Sequence, residues 1–498
     1  MSRGPDAVIA WVRRARPSTV RWVVTGLFVI PFVIAAVALR SRGWYPVLDL
    51  AMTEFRVRDV GTRHTPLIGL PGRIGNFPDQ GSHPGPLSFY ALAPTYRLLG
   101  SSSWALQVAT IVVAVVLVAL FLWIVQRQLG TRGVAVGALI LLVALRGYGI
   151  DTIAQPWNPY LPLLAWLVIL ASTWAIMCGD HRMLMVFVVV GSFAAQTHLP
   201  YLGLVGGLIA LVVFGLVFTW RRRPLQHNDM REGGMLAVTA GLLAWLPVVL
   251  DQVRNEPGNV RRLVDYFRDS PEDPVGTAEG LRLVLRHLDP FRVVGGMFSG
   301  DGHLVRAGFR LDGTILPGLL LLVAFAATAV LAWRRRHGRL IWLHAVGGWT
   351  FLLALVSMSR IFGKVWFYLT LWAWMLPVLM VTAIVWTVWV ELRARERLSP
   401  SIHRAGGLAL LGVSALLFVT FAIETVGARP AEPHLSETLG ALIEPTMQAL
   451  EDGVGEATSL DGTYMVTWTD AANFGSQGYG LINELERRGV EAGVAPAW

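Results

Sequence analysis

The chain has 498 residues, 54% of them apolar and only 15% charged, with a mean hydropathy of +0.53. Ordinary soluble domains carry about 25% charge, so this composition excludes a string of water-soluble domains, and it excludes disordered and collagen-like chains as well. The single cysteine, Cys178, rules out an intrachain disulfide, and the net charge of +9 is an arginine charge, Lys364 being the only lysine among 42 basic residues.

A membrane-crossing helix needs about 20 apolar residues. Eleven segments meet or approach that length: 22–39, 104–125, 133–148, 159–177, 183–197, 199–219, 234–251, 314–333, 340–357, 365–390 and 405–425. Pro200 separates the fifth from the sixth, because proline lacks a backbone donor and disfavours helix in the residue before it. A basic chain can bind nucleic acid, but these arginines fall in short runs between apolar stretches, which is the pattern of membrane topology. With eleven spans and residues 1–21 inside, the runs at Arg13–Arg16, Arg127–Arg132, Arg182, Arg221–Arg231, Arg334–Arg339 and Arg393–Arg404 all fall on the inner side. The reading is therefore an all-α polytopic protein of the cell membrane with about eleven transmembrane helices over 22–425. Its N-terminus is cytoplasmic. Two long extracytoplasmic loops, 40–103 and 252–313, and an extracytoplasmic C-terminal domain, 426–498, complete the chain. That tail reads as a small soluble α/β unit: a helix over 434–452, a strand over 464–468 and a helix over 478–488 closed by Gly489.

Polar residues that lie among apolar ones at the outer ends of the spans are the functional candidates. Asp49 opens the first long loop beside Trp44, Tyr45 and Pro46. A partly buried acid there has a raised pKa and suits a general base; a helix-capping aspartate is the plainer alternative. His83-Pro84-Gly85-Pro86-Leu87 follows, with a bend set by its prolines and an interface helix after it. His83 either faces a site or satisfies loop carbonyls. The next outer loop holds Asp151, its only acid, and a Pro156-Trp157-Asn158-Pro159 turn in which Trp157 is either an interface anchor or a site residue. His198 sits at the helix break before Pro200, where irregular backbone is tolerated if it lines a cavity. Arg360 and Lys364 place two cations at an outer face, against the positive-inside trend. They are either phosphate-binding or snorkelling from helix ends. In the tail, Tyr464, Trp468, Asp470, Asn473 and Gln477 form either a carbohydrate-contact face or a docking surface. Phosphate-loop, dinucleotide, nucleophile-elbow and zinc-protease motifs are absent.

The combination of an acid just after the first span, a His83-Pro84-Gly85-Pro86-Leu87 run, a second-loop acid and a soluble tail resembles the GT-C superfamily of polytopic glycosyltransferases. The match is strongest over about 20–220. The run is similar to the His-Pro-Pro-Leu run of the aminoarabinose-transferase type, with a glycine between the prolines. The 155–160 stretch looks like actinobacterial mannosyl- and arabinosyltransferases. The resemblance implies a polyprenyl-phosphate sugar donor and an extracytoplasmic acceptor: a cell-wall glycan, a glycolipid or a protein. It implies a hexosyl or pentosyl transfer with inversion, Asp49 as base, Glu54 or Asp59 as its companion acid, and Asp151 positioning the acceptor or a divalent metal ion. Some members use such an ion and others do not, so metal use stays open. Glu54, His83, Trp157, Asn158, His198, Arg360 and Lys364 are the expected substrate-binding residues. The rival reading is a transporter or flippase of a lipid-linked cell-envelope intermediate. Such proteins carry paired repeats and charges at mid-membrane, and this chain has neither an evident repeat nor charged span centres.

Overall fold

The structure is a computed structural model that describes residues 15–75, 80–222, 227–395, 399–455, 457, 459–469 and 476–494. Among these residues eight helices are long and apolar enough to cross a membrane by length and composition, and the chain is a multi-pass membrane protein. They are α1 (Pro17–Arg40), α4 (Ser103–Tyr148), α8 (Pro200–Arg222), α9 (His227–Arg254), α14 (Leu316–Arg334), α15 (Gly338–Ser359), α16 (Met375–Ala394) and α17 (Pro400–Val426). Two shorter apolar helices, α6 (Leu163–Met177) and α7 (Met183–Thr197), pack among them.

Helix α4 covers two of the segments expected from sequence. Its 46 residues are interrupted at Gly130, which has φ of 61°. A Cβ at Gly133 would meet the Val125 carbonyl at 2.1 Å, and one at Gly137 the Val125 side chain at 2.8 Å. Residues eight apart in a straight helix are separated by roughly 12 Å. The chain therefore doubles back at Gly130, and the glycines let the two arms touch. Helix α6 is buried along its whole length, as expected of a helix that is apolar on every side. It forms the centre of the bundle with Trp166, Trp372 and Trp374, all fully buried.

The connecting segments cap one end of the bundle. The first holds α2 (Leu48–Asp59) and α3 (Leu87–Leu98). A four-residue helix, α5 (Ile150–Ile153), follows α4. The segment after α9 holds α10 (Asn259–Arg268), α11 (Thr277–His287), α12 (Pro290–Ser299) and α13 (His303–Phe309). The first and third are joined by Asn259, whose side chain accepts from the Ser82 N–H at 2.8 Å and donates to the Ser82 carbonyl at 3.1 Å. At this same end the chain after α17 folds into α18 (Pro433–Glu451), α19 (Gly478–Arg487) and two parallel three-residue strands, β1 (Thr463–Met465) and β2 (Glu491–Gly493). Its apolar centre includes Leu439, Ile443, Ile482 and Leu485, and it closes on Val47 of the first segment. Charge pairs mark the opposite end: Arg127 grips Asp180 with two hydrogen bonds at 2.7 and 2.9 Å, and Arg335 and Arg395 share Glu391.

Candidate functional site

Asp49 lies in the first turn of α2, where the helix N-terminus favours a carboxylate. Its side chain does not cap the helix; the N-cap position is Val47. Its Oδ2 accepts a hydrogen bond from Trp157 Nε1 at 2.9 Å. Burial pushes its pKa above the ordinary aspartate value, and the Trp157 N–H opposes that rise. Among the described residues Asp49 has no cation in an ion pair. A carboxylate in such surroundings takes up a proton more readily than one held by arginine.

Around Trp157 the structure assembles aromatic rings from two segments, its own turn and the stretch 366–368. Tyr160 meets it edge-on at 4.8 Å between centroids, and Tyr368 meets it at 5.2 Å. The Tyr368 hydroxyl also lies within electrostatic range of Arg73 and of Asp49. Beside it, Trp366 stacks at 6.2 Å and is flanked by two cations, with the Arg73 guanidinium 5.2 Å and Lys364 Nζ 4.0 Å from its ring centre. Such contacts hold a cation close to a desolvated surface without neutralising it. One carboxylate and two cations therefore border one cluster of indole and phenol rings, which is a surface suited to a polar ring carrying an anionic group.

The two histidines come together. His83 and His198 rings are 5.4 Å apart, and His198 is 6.2 Å from Tyr368. His83 Nδ1 accepts the Leu199 N–H at 3.2 Å, which leaves its proton on Nε2. Burial lowers its pKa to about 4, so the ring is a neutral donor at pH 7. Gly85 belongs to this contact: a Cβ there would lie 2.2 Å from Gln196 Oε1, so only glycine lets the bend seat against α7.

The remaining residues singled out from sequence go elsewhere. Glu54 is fully buried, and its oxygens accept from Tyr96 Oη at 2.9 Å, from Ser103 Oγ at 3.4 Å and from Arg487. Five residues along a helix is roughly 140° around its axis, and ten residues is about 15 Å along it. Neither Glu54 nor Asp59 thus joins Asp49 from α2. Asp151 accepts the Arg429 N–H at 2.8 Å and ties the end of α4 to the chain leaving α17. Burial raises its pKa, with the Arg429 bond acting against it. Arg360 donates to the Phe267 carbonyl at 3.2 Å and covers Phe362, beside α10. Asn158 is half-buried in its turn and makes no side-chain hydrogen bond among the described residues. In the tail, Tyr464 pairs in β1, Trp468 packs on Tyr479 at 4.9 Å, Gln477 precedes α19, and Asp470 and Asn473 lie outside the described residues. Among the described residues no three His, Cys, Asp or Glu side chains gather as a metal-binding group, so Asp49 and Asp151 do not by themselves form the donor set of a divalent ion.

Arg73, Trp366 and Tyr368 were not evident in the sequence reading. Trp366 and Tyr368 sit inside the apolar segment 365–390 and read there as the start of a span, whereas the chain is non-helical at 364–366 and turns into a short 3-10 segment, Phe367–Leu369. The alternation Lys364, Trp366, Tyr368 is the available signal, because extended residues two apart share a face. Arg73 stands between Gly72 and Gly75 in a loop with no periodicity to mark it.

Neither a protein-family model nor a curated protein matches the chain. Among solved structures, ArnT from Cupriavidus metallidurans, in a crystal structure bound to undecaprenyl phosphate, is similar at 14% identity and a TM-score of 0.49. The likeness covers 95% of this chain and 89% of that one. At that identity and TM-score it assigns neither a reaction nor a residue.

Proposed function

We propose that the chain is a membrane glycosyltransferase that moves a sugar from a polyprenyl-phosphate donor to an acceptor hydroxyl at the capped end of the bundle. That end would face outward, as the arginine distribution suggests. The observation that carries the reading is Asp49: a desolvated carboxylate without a cation partner among the described residues, bonded by Trp157 and set at an aromatic cluster that holds two cations. The family resemblance seen in the sequence points the same way.

In this reading Asp49 accepts the acceptor hydroxyl proton while the oxygen forms its bond to the anomeric carbon. The bond from that carbon to the donor phosphate oxygen breaks, and the phosphate leaves with the electron pair. One base and one displacement invert the anomeric centre, as in inverting glycosidases. Arg73 and Lys364 offset the charge that develops on the leaving phosphate. Trp157 and Tyr368 provide faces for the sugar ring, and neutral His83 offers an N–H to a hydroxyl or phosphate oxygen. Because the donor's lipid stays in the bilayer, a pocket at the helix ends reaches its phosphate without extracting it.

The test is a reconstitution in liposomes with a radiolabelled polyprenyl-phosphate sugar and cell-envelope acceptors. Sugar appearing in the acceptor fraction, and its loss in Asp49→Asn, is the expected result. Movement of intact donor across the bilayer without transfer would replace the enzyme with a transporter, and neither outcome would remove both.

A further inference from the structure

We propose that the C-terminal unit is part of the reaction site, and that Arg487 is a positioning residue that fixes helix α2 so that Asp49 faces its pocket. The inference rests on the transferase reading above and names an element that the reaction needs beyond the pocket itself.

Helix α2 has little to hold it on its own. It is 12 residues long, its N-cap Val47 makes no side-chain capping bond, and Leu48 starts it with a left-handed φ of 52°. Helix α19 and Ser476, two residues before it, supply what is missing. The Leu48 N–H donates to the Ser476 carbonyl at 3.1 Å. Asn483 Nδ2 donates to the Ala51 carbonyl at 3.0 Å and accepts from Arg58 through Oδ1 at 3.1 Å. Gly480 carries no Cβ and thereby lets the Pro46 carbonyl approach, since a Cβ there would lie 2.4 Å from it.

Arg487 closes this contact. Its guanidinium bonds the fully buried Glu54 of α2 and Glu484 of α19 at once. Although desolvation opposes it, the charges of Glu54 and Glu484 push the Arg487 pKa up, so the guanidinium stays charged. Glu54 is held on its other side by Tyr96 of α3 and Ser103 of α4. A buried carboxylate gripped from three elements fixes the rotation of its helix. Asp49 stands on the same helix roughly 140° away, whereas its partner Trp157 belongs to the turn before α6. Rotation of α2 would therefore separate Asp49 from Trp157 while leaving Arg73, Lys364, Trp366 and His83 where they are. Tyr479, in the first turn of α19, lies within electrostatic range of Asp49.

The experiment measures kcat and donor KM for the full chain and for Arg487→Gln, Arg487→Lys, Asn483→Ala and Glu54→Gln/Arg487→Gln, each first shown to be monodisperse and folded. Arg487→Gln is expected to lower kcat at least tenfold with donor KM within twofold of wild type. Arg487→Lys should recover part of kcat. The double variant, which removes the fully buried Glu54 charge together with its partner and leaves Glu484 as the one acid that loses an ion pair, should recover more than Arg487→Gln retains. Asn483→Ala removes the neighbouring bond without unpairing a charge, keeps the test open if Arg487→Gln does not fold, and should lower kcat severalfold in the same sense. Wild-type kcat in folded Arg487→Gln or Asn483→Ala, or a rise in donor KM that accounts for the whole loss, would overturn the positioning role while leaving the transferase reading intact. A wild-type chain that transfers no sugar would overturn that reading, and this inference with it.

Discussion

Asp49 and Glu54 stand five residues apart on one helix and meet opposite surroundings. Glu54 is enclosed and saturated by Tyr96, Ser103 and Arg487. Asp49 is partly enclosed and receives one N–H, from Trp157, with cations held off at the Trp366 ring. Burial acts on both; the partners differ. A carboxylate whose two oxygens are both engaged by an arginine and hydroxyls is a structural group, because removing a partner leaves a buried polar group without its hydrogen bond. A carboxylate desolvated but left with acceptor capacity can take up a proton from something that arrives.

The comparison can be broken at either end of the helix, and the largest effect should come from Asp49. Asp49→Asn should lower transfer about 10²- to 10⁴-fold, the range of general-base contributions, with no loss of stability. The sign follows from its raised pKa: above the unfolded value the ionised carboxylate costs the folded state free energy, and the amide removes that cost. Thermal unfolding beside the transfer assay checks both halves, and a drop in both would make Asp49 a structural residue like its neighbour. Glu54→Ala should do the reverse in stability, costing about 1–3 kcal/mol by taking the buried acceptor from Tyr96 and Ser103 and leaving the partly exposed Arg487 with Glu484 alone. Denaturant unfolding in mild detergent reads that figure, and a loss under about 1 kcal/mol would mean that the pair behaves as a surface bridge.

His83 gives a smaller, pH-dependent effect. Folded, it binds a proton only near pH 4, and unfolded near 6.5. As pH falls through that window the unfolded chain is protonated first, so stability declines by up to about 3 kcal/mol and then levels off. His83→Gln should flatten this dependence between pH 7 and 4; an unchanged slope would assign the titration to another group. Trp157→Phe should be the mildest, about 1.5 kcal/mol, for the lost hydrogen bond to a charged group. Without that N–H the Asp49 pKa rises further, and the acidic limb of the kcat/KM profile, where the base becomes protonated as pH falls, should move to higher pH.

Much of the scaffold follows from local patterns. The long apolar runs become helices near the expected positions, and Pro200 starts α8 where its missing N–H costs no hydrogen bond. The doubling back of α4 at Gly130 is carried by one backbone angle and by glycines three and seven residues later, a weaker signal than hydropathy. The site divides in the same way. Asp49, His83, Trp157 and Lys364 could be picked out because each is a polar or amphipathic group at the end of an apolar run. Their convergence with Arg73, Trp366 and Tyr368 depends on how the segments before α3, α6 and α16 meet, and no local pattern encodes that. Nor does local sequence separate Asp49 from Glu54: both are acids on the same short helix, and partners distant in the chain tell them apart, Trp157 for one and Tyr96, Ser103 and the tail's Arg487 for the other.

The scarcity of lysine has a chemical consequence. Lys364 carries the only ε-amine in 498 residues, it is exposed, and it rests 4.0 Å from the centre of the Trp366 ring. Reagents that acylate lysine would decorate most proteins at many points. Here they have one lysine side chain to attack, and it sits against an indole. The molecule thus carries a built-in address for a single dye or cross-linker, placed where an arriving anionic headgroup would shield it from the reagent.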